Sequence, residues 1–300
     1  MQRIIALKQL TVLVKPAKLQ NLFQRSAMSH PLSFDELKAK AKQIRRDIIT
    51  MTCAAASGHP GGSLSATEIL TVLYFSVMKH KPKNPHWADR DRLILSKGHA
   101  SPLLYSVLAR SGYFDPALLP TFRVLGSPLQ GHPDMRRLPG VEASTGSLGQ
   151  GLSIGAGHAL ARRLDGKDYF TYVVMSDGEM NEGQTWEAAA MTSHHQLDHL
   201  VVILDYNKFQ LDDATSAICN MEPMADKWKA FGWDVQEIDG HDMSQVLKAI
   251  EKAKTVCGKP SIVIAHTVKG QGVSFMANNN HFHGVAPTKD EMERALKELL

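Results

Sequence analysis

The chain has 300 residues, 43% of them hydrophobic and 21% charged, with 22 Gly and 14 Pro, which describes a globular protein rather than a disordered or fibrous one. Its net charge of +4 comes from residues 1–34, which carry five Lys and Arg and no acid; the remainder holds 29 basic against 30 acidic residues, so charge excludes a nucleic-acid-binding body. No apolar run approaches 18 residues, which argues against a membrane-spanning helix.

The basic head, residues 1–32, reads as a poorly ordered extension; a transit-like or membrane-surface segment and an extension ahead of Met28 are the other readings. Order is expected over 33–300. Ser33-Phe-Asp-Glu36 is a capping box, and Leu37, Ala41, Ile44 and Ile48 follow at helical spacing, so 34–56 is predicted as an amphipathic helix. The glycines and proline of Ser57-Gly-His-Pro-Gly-Gly62 predict a loop, and a second box, Ser65-Ala-Thr-Glu68, predicts a helix running to about Lys79. Strands are expected at Leu93–Leu95, Tyr169–Met175, Leu200–Leu204, Trp233–Ile238 and Ser261–Ala265, with helices near 148–163, 183–197, 223–231 and 243–255. A third box, Thr288-Lys-Asp-Glu291, opens a C-terminal helix. This alternation predicts an α/β fold: one doubly wound, mainly parallel sheet with helices on both faces. Residues 267–287 read as a long loop, functional or disordered, for which burial would strand backbone groups without partners.

Chemistry concentrates after the second predicted strand, in Ser176-Asp-Gly-Glu-Met-Asn-Glu-Gly183. Ligands of parallel sheets bind outside the strands' carboxyl ends. An acidic residue there can hold a divalent cation, and the next strand ends in Asp205-Tyr-Asn207, so neighbouring tips would let Asp177 and the Asn207 side-chain oxygen share one Mg²⁺. Such a pair reads as a diphosphate clamp. Histidine suits proton transfer near neutral pH, and several of the fourteen lie in Gly/Pro-rich loops. His194, His195 and His199 lack a completing ligand set for zinc and read as surface helix. Gly146-x-x-Gly149-x-Gly151 is not a dinucleotide fingerprint. Cys53, Cys219 and Cys257 form no disulfide framework, which suits a reducing compartment and an expected cytoplasmic location.

These motifs, with Asp91-Arg-Leu-Ile-Leu-Ser-Lys-Gly-His99, Gly131-His-Pro133, Thr145-Gly-Ser-Leu-Gly-Gln-Gly151 and His281-Phe-His-Gly284, occur in an order that resembles transketolase over about residues 36–295. The resemblance covers the diphosphate-binding half of such enzymes, and the pyrimidine-binding half has no counterpart here. It therefore implies the N-terminal subunit of a split transketolase, acting on sugar phosphates with a C-terminal subunit in a hetero-oligomer, for which symmetry leads one to expect two copies of each. It implies thiamine diphosphate and Mg²⁺ (or Ca²⁺ or Mn²⁺), the metal held by Asp177, Asn207 and the Phe209 carbonyl. Gly178 is placed against the diphosphate, and Gly146, Ser147 and Leu148 near the cofactor ring. His59, His99, His132 and His283 are implied over the thiazolium carbon as catalytic groups, with His99 and His283 also touching the cofactor. Glu182 and Glu187 are implied near the subunit contact around it, with ordinary first-turn helix acids as the alternative. Ser176 stands where the family pattern has Gly. Another thiamine enzyme acting on a different sugar phosphate or 2-oxo acid, and a paralogue that has lost the cofactor, stay open.

Overall fold

The computed structural model describes residues 32–300, so the expectations for the basic head lie outside the described residues except at Leu32. Five strands form one sheet: β1 (Arg92–Leu95), β2 (Thr171–Ser176), β3 (Leu200–Tyr206), β4 (Asp234–Asp239) and β5 (Ser261–His266). Their order is β1-β2-β3-β5-β4, and every pairing is parallel. Each predicted strand is present within two residues.

Successive strand residues point to opposite faces, and both faces are covered. Val173, Met175, Val202, Leu204 and Ile264 pack toward α5 (Gln150–Leu164), α6 (Gly183–His194) and α8 (Met224–Ala230). Tyr172, Val174, Val201, Ile203 and Ala265 pack on the other face toward α1 (Phe34–Ala54), α3 (Thr67–Val72), α4 (Ser101–Ser111) and α9 (Met243–Ala253). The path from β1 through β3 advances across the sheet, whereas β4 to β5 runs back, which places α9 on the opposite face from α6 and α8. The loops leaving β3 and β5 therefore diverge. A crevice opens at their carboxyl ends.

Two capping boxes form as the sequence predicts. Ser33 N donates to Glu36 Oε2 at 2.8 Å while Glu36 N donates to Ser33 Oγ at 3.3 Å, and Thr288 and Glu291 repeat the exchange at α10 (Lys289–Glu298). The box expected at Ser65 does not form. Ser65 Oγ donates instead to Asp205 Oδ2 at 2.6 Å and Gly62 O at 3.1 Å, and the chain is already helical from Pro60 in α2 (Pro60–Ser65). Proline suits a first helical turn because its missing N–H would have had no partner there. α3 runs on through a π-helical turn that ends at Val77, short of Lys79.

Residues 267–287 also depart from expectation. Lys269, Val273, Met276 and Phe282 are buried, and the backbone finds partners: Gly270 N donates to Gly61 O at 3.1 Å and Asn278 N to Lys269 O at 2.8 Å. α4 had no predicted counterpart, although Pro102 in its first turn and the left-handed Gly112 after its end are the usual boundary signals.

Candidate functional site

A cleft of about 480 Å³ lies at the carboxyl ends of β1, β2, β3 and β5. Asp177 follows β2 and is 2% exposed; its Oδ1 accepts from Gly178 N at 3.0 Å and its Oδ2 from Lys208 N, one residue past Asn207. The register that pairs Ser176 with Asp205 thus brings the two predicted strand tips together. Asn207 Oδ1 accepts from Phe209 N at 3.1 Å, and its Nδ2 donates to Asp205 Oδ2 at 3.2 Å. Burial, with the nearby Asp205 carboxylate adding to it, pushes the Asp177 carboxyl up to about 7.

Asp205 is fully buried and accepts from Ser65, Lys97, Asn207 and Thr267. Burial raises its carboxyl, but Lys97 and the two hydroxyls outweigh this and hold it below the ordinary range. Lys97, itself fully buried, also donates to Gly62 O at 2.7 Å. Glu179 binds three elements at once: Ser96 Oγ, Gly149 N at 2.7 Å and Ser176 N at 3.3 Å all donate to it.

The histidines gather at the other end of the cleft. Ring centroids of His59 lie 5.2 Å from His99, 5.6 Å from His283 and 6.4 Å from His132, and His99 stacks on His283 at 5.4 Å. Burial holds His59 down to about 4 and His283 to about 3, with nearby cations adding to it, and it lowers His99 and His132 as well. These rings are neutral at physiological pH. Lys269 Nζ stands 2.6 Å from His283 Nδ1 and 2.7 Å from Asn280 Oδ1, and burial followed by Lys97 lowers its ammonium to about 8.

Residues 37–300 match the thiamine diphosphate binding domain of transketolase. The 6-deoxy-6-sulfo-D-fructose transketolase subunit of Clostridium sp. (strain MSTE9) is 46% identical over 264 residues, covering 88% of this chain and 96% of that protein. An apulose-4-phosphate transketolase subunit from Actinobacillus succinogenes is 44% identical, covering 89% of this chain and 97% of that protein. The transketolase structure from Campylobacter jejuni superposes with a TM-score of 0.84 at 35% identity. The chain belongs to the transketolase family. It spans 43% of that solved transketolase but nearly the whole of the two subunits.

The donor set at the strand tips fits a hard cation. Among the described residues no three His, Cys, Asp or Glu side chains group as a metal site, so a zinc-like set is lacking. One desolvated carboxylate, an amide oxygen and a backbone carbonyl suit Mg²⁺, which takes few protein oxygens and completes its shell with phosphate oxygens and water. A Cβ on Gly178 would stand 2.9 Å from Gln210 Cβ, so the turn beside Asp177 has no room for a side chain.

The other predicted residues divide. His59, His99, Gly146, Leu148, Gly178, Glu182, Asn207, Phe209 and His283 line the cleft, and Asp177 lies beneath its wall. His132 stands behind Gly146, where an added Cβ would lie 3.0 Å from its ring. Ser147 and Glu187 are exposed and do not line the cleft. Sequence reasoning missed Lys97, Lys269, Asp205 and Glu179. The first lies inside the quoted motif Ser-Lys-Gly-His99, and the second inside Lys269-Gly-Gln-Gly272, but neither lysine carries a mark of burial.

Proposed function

We propose that this chain is the diphosphate-binding subunit of a two-chain transketolase, dependent on thiamine diphosphate and Mg²⁺, that moves a two-carbon ketol unit from a ketose phosphate to an aldose phosphate. The observation that carries the reading is the desolvated Asp177 carboxylate at one end of a cleft whose other end is a group of neutral histidines. Asp177, the Asn207 side-chain oxygen and the Phe209 carbonyl would hold the metal, and Lys269 supplies a buried positive charge suited to a diphosphate.

When bound, thiamine diphosphate supplies the electron sink that no side chain provides. The chain's own residues position and move protons. A neutral imidazole can take the proton from the hydroxyl beside the breaking carbon–carbon bond of the ketose and return it to the carbonyl oxygen of the incoming aldose. His59 is suited to this because its ring lines the cleft, beside those of His99 and His283. Gly62 leaves the approach to His99 open, since a Cβ there would stand 3.4 Å from Nε2. Ser176 lines the cleft with its N–H spent on Glu179, so its hydroxymethyl group is the one addition to a surface that the family pattern leaves bare.

The named two-chain relatives act on a sulfo-sugar and on apulose 4-phosphate, and they support both a separate C-terminal partner and substrates outside the common pentose phosphates. Mixing this chain with a C-terminal subunit should give ketol transfer that neither has alone, across a donor panel of ketose phosphates, sulfo-sugars and 2-oxo acids. Substantial transfer by the isolated chain contradicts the reading. Silent titrations of the assembled pair with Mg²⁺ and thiamine diphosphate would favour a paralogue without cofactor.

A further inference from the structure

Behind the cleft, side chains from three elements meet at one buried carboxylate that the chemistry above does not use. Glu68 on α3 is 7% exposed and pairs with Arg45 of α1 at 2.6 Å. The third member is His241, between β4 and α9, whose Nδ1 stands 3.1 Å from Glu68 Oε2.

A backbone N–H can only donate, and Val268 N lies 2.8 Å from His241 Nε2. Nε2 is therefore the acceptor, and the ring proton sits on Nδ1, donated to Glu68. Burial pushes the Glu68 carboxyl up, but the hydrogen bond from His241 and the charge of Arg45 outweigh it and hold the group below the ordinary carboxylate range.

Arg45 reaches the same segment from its other end, its Nε donating to Gln271 O at 3.0 Å. The two side chains joined through Glu68 thus grip the turn Val268–Gln271 at both ends. Between them, Lys269 extends the opposite way, into the cleft, to His283 and Asn280. The turn has little freedom of its own: Gly270 adopts φ +80°, and a Cβ there would overlap the Met276 carbonyl oxygen. A cavity of about 600 Å³ borders Arg45, Glu68 and His241, so truncating the imidazole opens onto existing space instead of leaving a sealed hole.

We infer that Arg45, Glu68 and His241 form a clamp that positions the Val268–Gln271 turn, so that Lys269 meets the coenzyme's diphosphate. His241 is a positioning residue that works as the neutral, Nδ1-protonated tautomer. The coenzyme half of this inference rests on the functional reading above.

The test combines amide hydrogen exchange on this chain with calorimetric titration of Mg²⁺ and thiamine diphosphate into the assembled two-chain protein. His241→Ala should speed exchange over residues 267–271 while β5 stays protected, and should weaken coenzyme binding about tenfold, the scale of a lost supporting contact. His241→Gln should restore both, because its amide can accept from Val268 and donate to Glu68. Lys269→Met should weaken binding by at least as much, and adding His241→Ala to it should cost little more, since the clamp acts through Lys269. Unchanged exchange in His241→Ala, unchanged affinity, or fully additive losses in the double variant would each overturn the clamp. A wild-type pair that takes up no coenzyme overturns the functional reading instead, and the exchange data then still decide whether His241 holds Val268.

Discussion

At the strand-tip end of the cleft, charge is saturated with partners: Asp205 accepts from four side chains, Lys97 holds both Asp205 and the Gly62 carbonyl, and Glu179 takes three donors. At the histidine end, three rings lie within 5.2 to 6.4 Å of His59, and the Nδ1 of that residue meets nothing. The first arrangement fixes an electrostatic field before any ligand arrives, as preorganised binding requires. The second leaves a buried ring nitrogen of His59 unpaired and its rings neutral, which costs desolvation energy. Binding and proton transfer are therefore separable by mutation.

The largest expected effect tests the saturated end. Asp177→Asn should weaken Mg²⁺-dependent coenzyme binding by about a thousandfold, roughly 4 kcal/mol. The coenzyme-free protein should lose far less than the binding does, because burial disfavours the carboxylate that is removed, which offsets the one acceptor lost to Gly178 N or Lys208 N. Calorimetry and melting curves of the same preparation check both. A fall in melting temperature with binding intact would reverse the assignment of Asp177.

Asp205→Asn attacks that end through stability instead. It strands the buried Lys97 ammonium without its counter-charge, an error that costs about 3 to 5 kcal/mol. Denaturant unfolding should show the loss, and adding Lys97→Met should recover much of it. If the double variant is no better, the pair is not the source of the loss.

His59→Gln addresses the other end. Ketol transfer by the assembled pair should fall about a hundredfold, the lower range for a lost acid–base group, with coenzyme affinity nearly unchanged. Parallel losses in both would erase the division between the two ends.

How much of this could be read beforehand follows the same division. The sheet was legible because its strands are short Val- and Ile-rich runs between helical patterns, and buried parallel strands have to look that way. The histidines stood out through their Gly/Pro-rich surroundings, and Asp177 through its place directly after a predicted strand. Lys97, Lys269 and Asp205 did not, since a lysine in a sequence reads as solvated, and only the packing of β1 against β2 and of β5 against β3 shows that these are buried. Ser65 misled for a related reason: its hydroxyl suits a helix cap, but the distant Asp205 is the partner it meets. The burial of residues 267–287 likewise depends on Gly61, far earlier in the chain, offering its carbonyl to Gly270.

The smallest effect is the most diagnostic of neutral histidines. In the unfolded chain a histidine titrates near ~6.5, whereas burial holds folded His59 to about 4 and His283 to about 3. Below the unfolded value the unfolded chain binds protons that the folded one refuses, so stability falls as pH drops from the unfolded pKa through the folded values. Asp177 slopes the other way over an overlapping window, because its folded carboxyl keeps a proton up to about 7 and the coenzyme-free fold loses stability as pH rises toward that value. Melting temperature against pH should therefore be measured in the Asp177→Asn background, where the opposing slope is gone. There the acid limb should steepen relative to wild type, and adding His59→Gln should flatten it again. An acid limb indifferent to His59 would mean that the ring titrates in the fold as it does in the unfolded chain, and the desolvated surroundings assigned to it would fall.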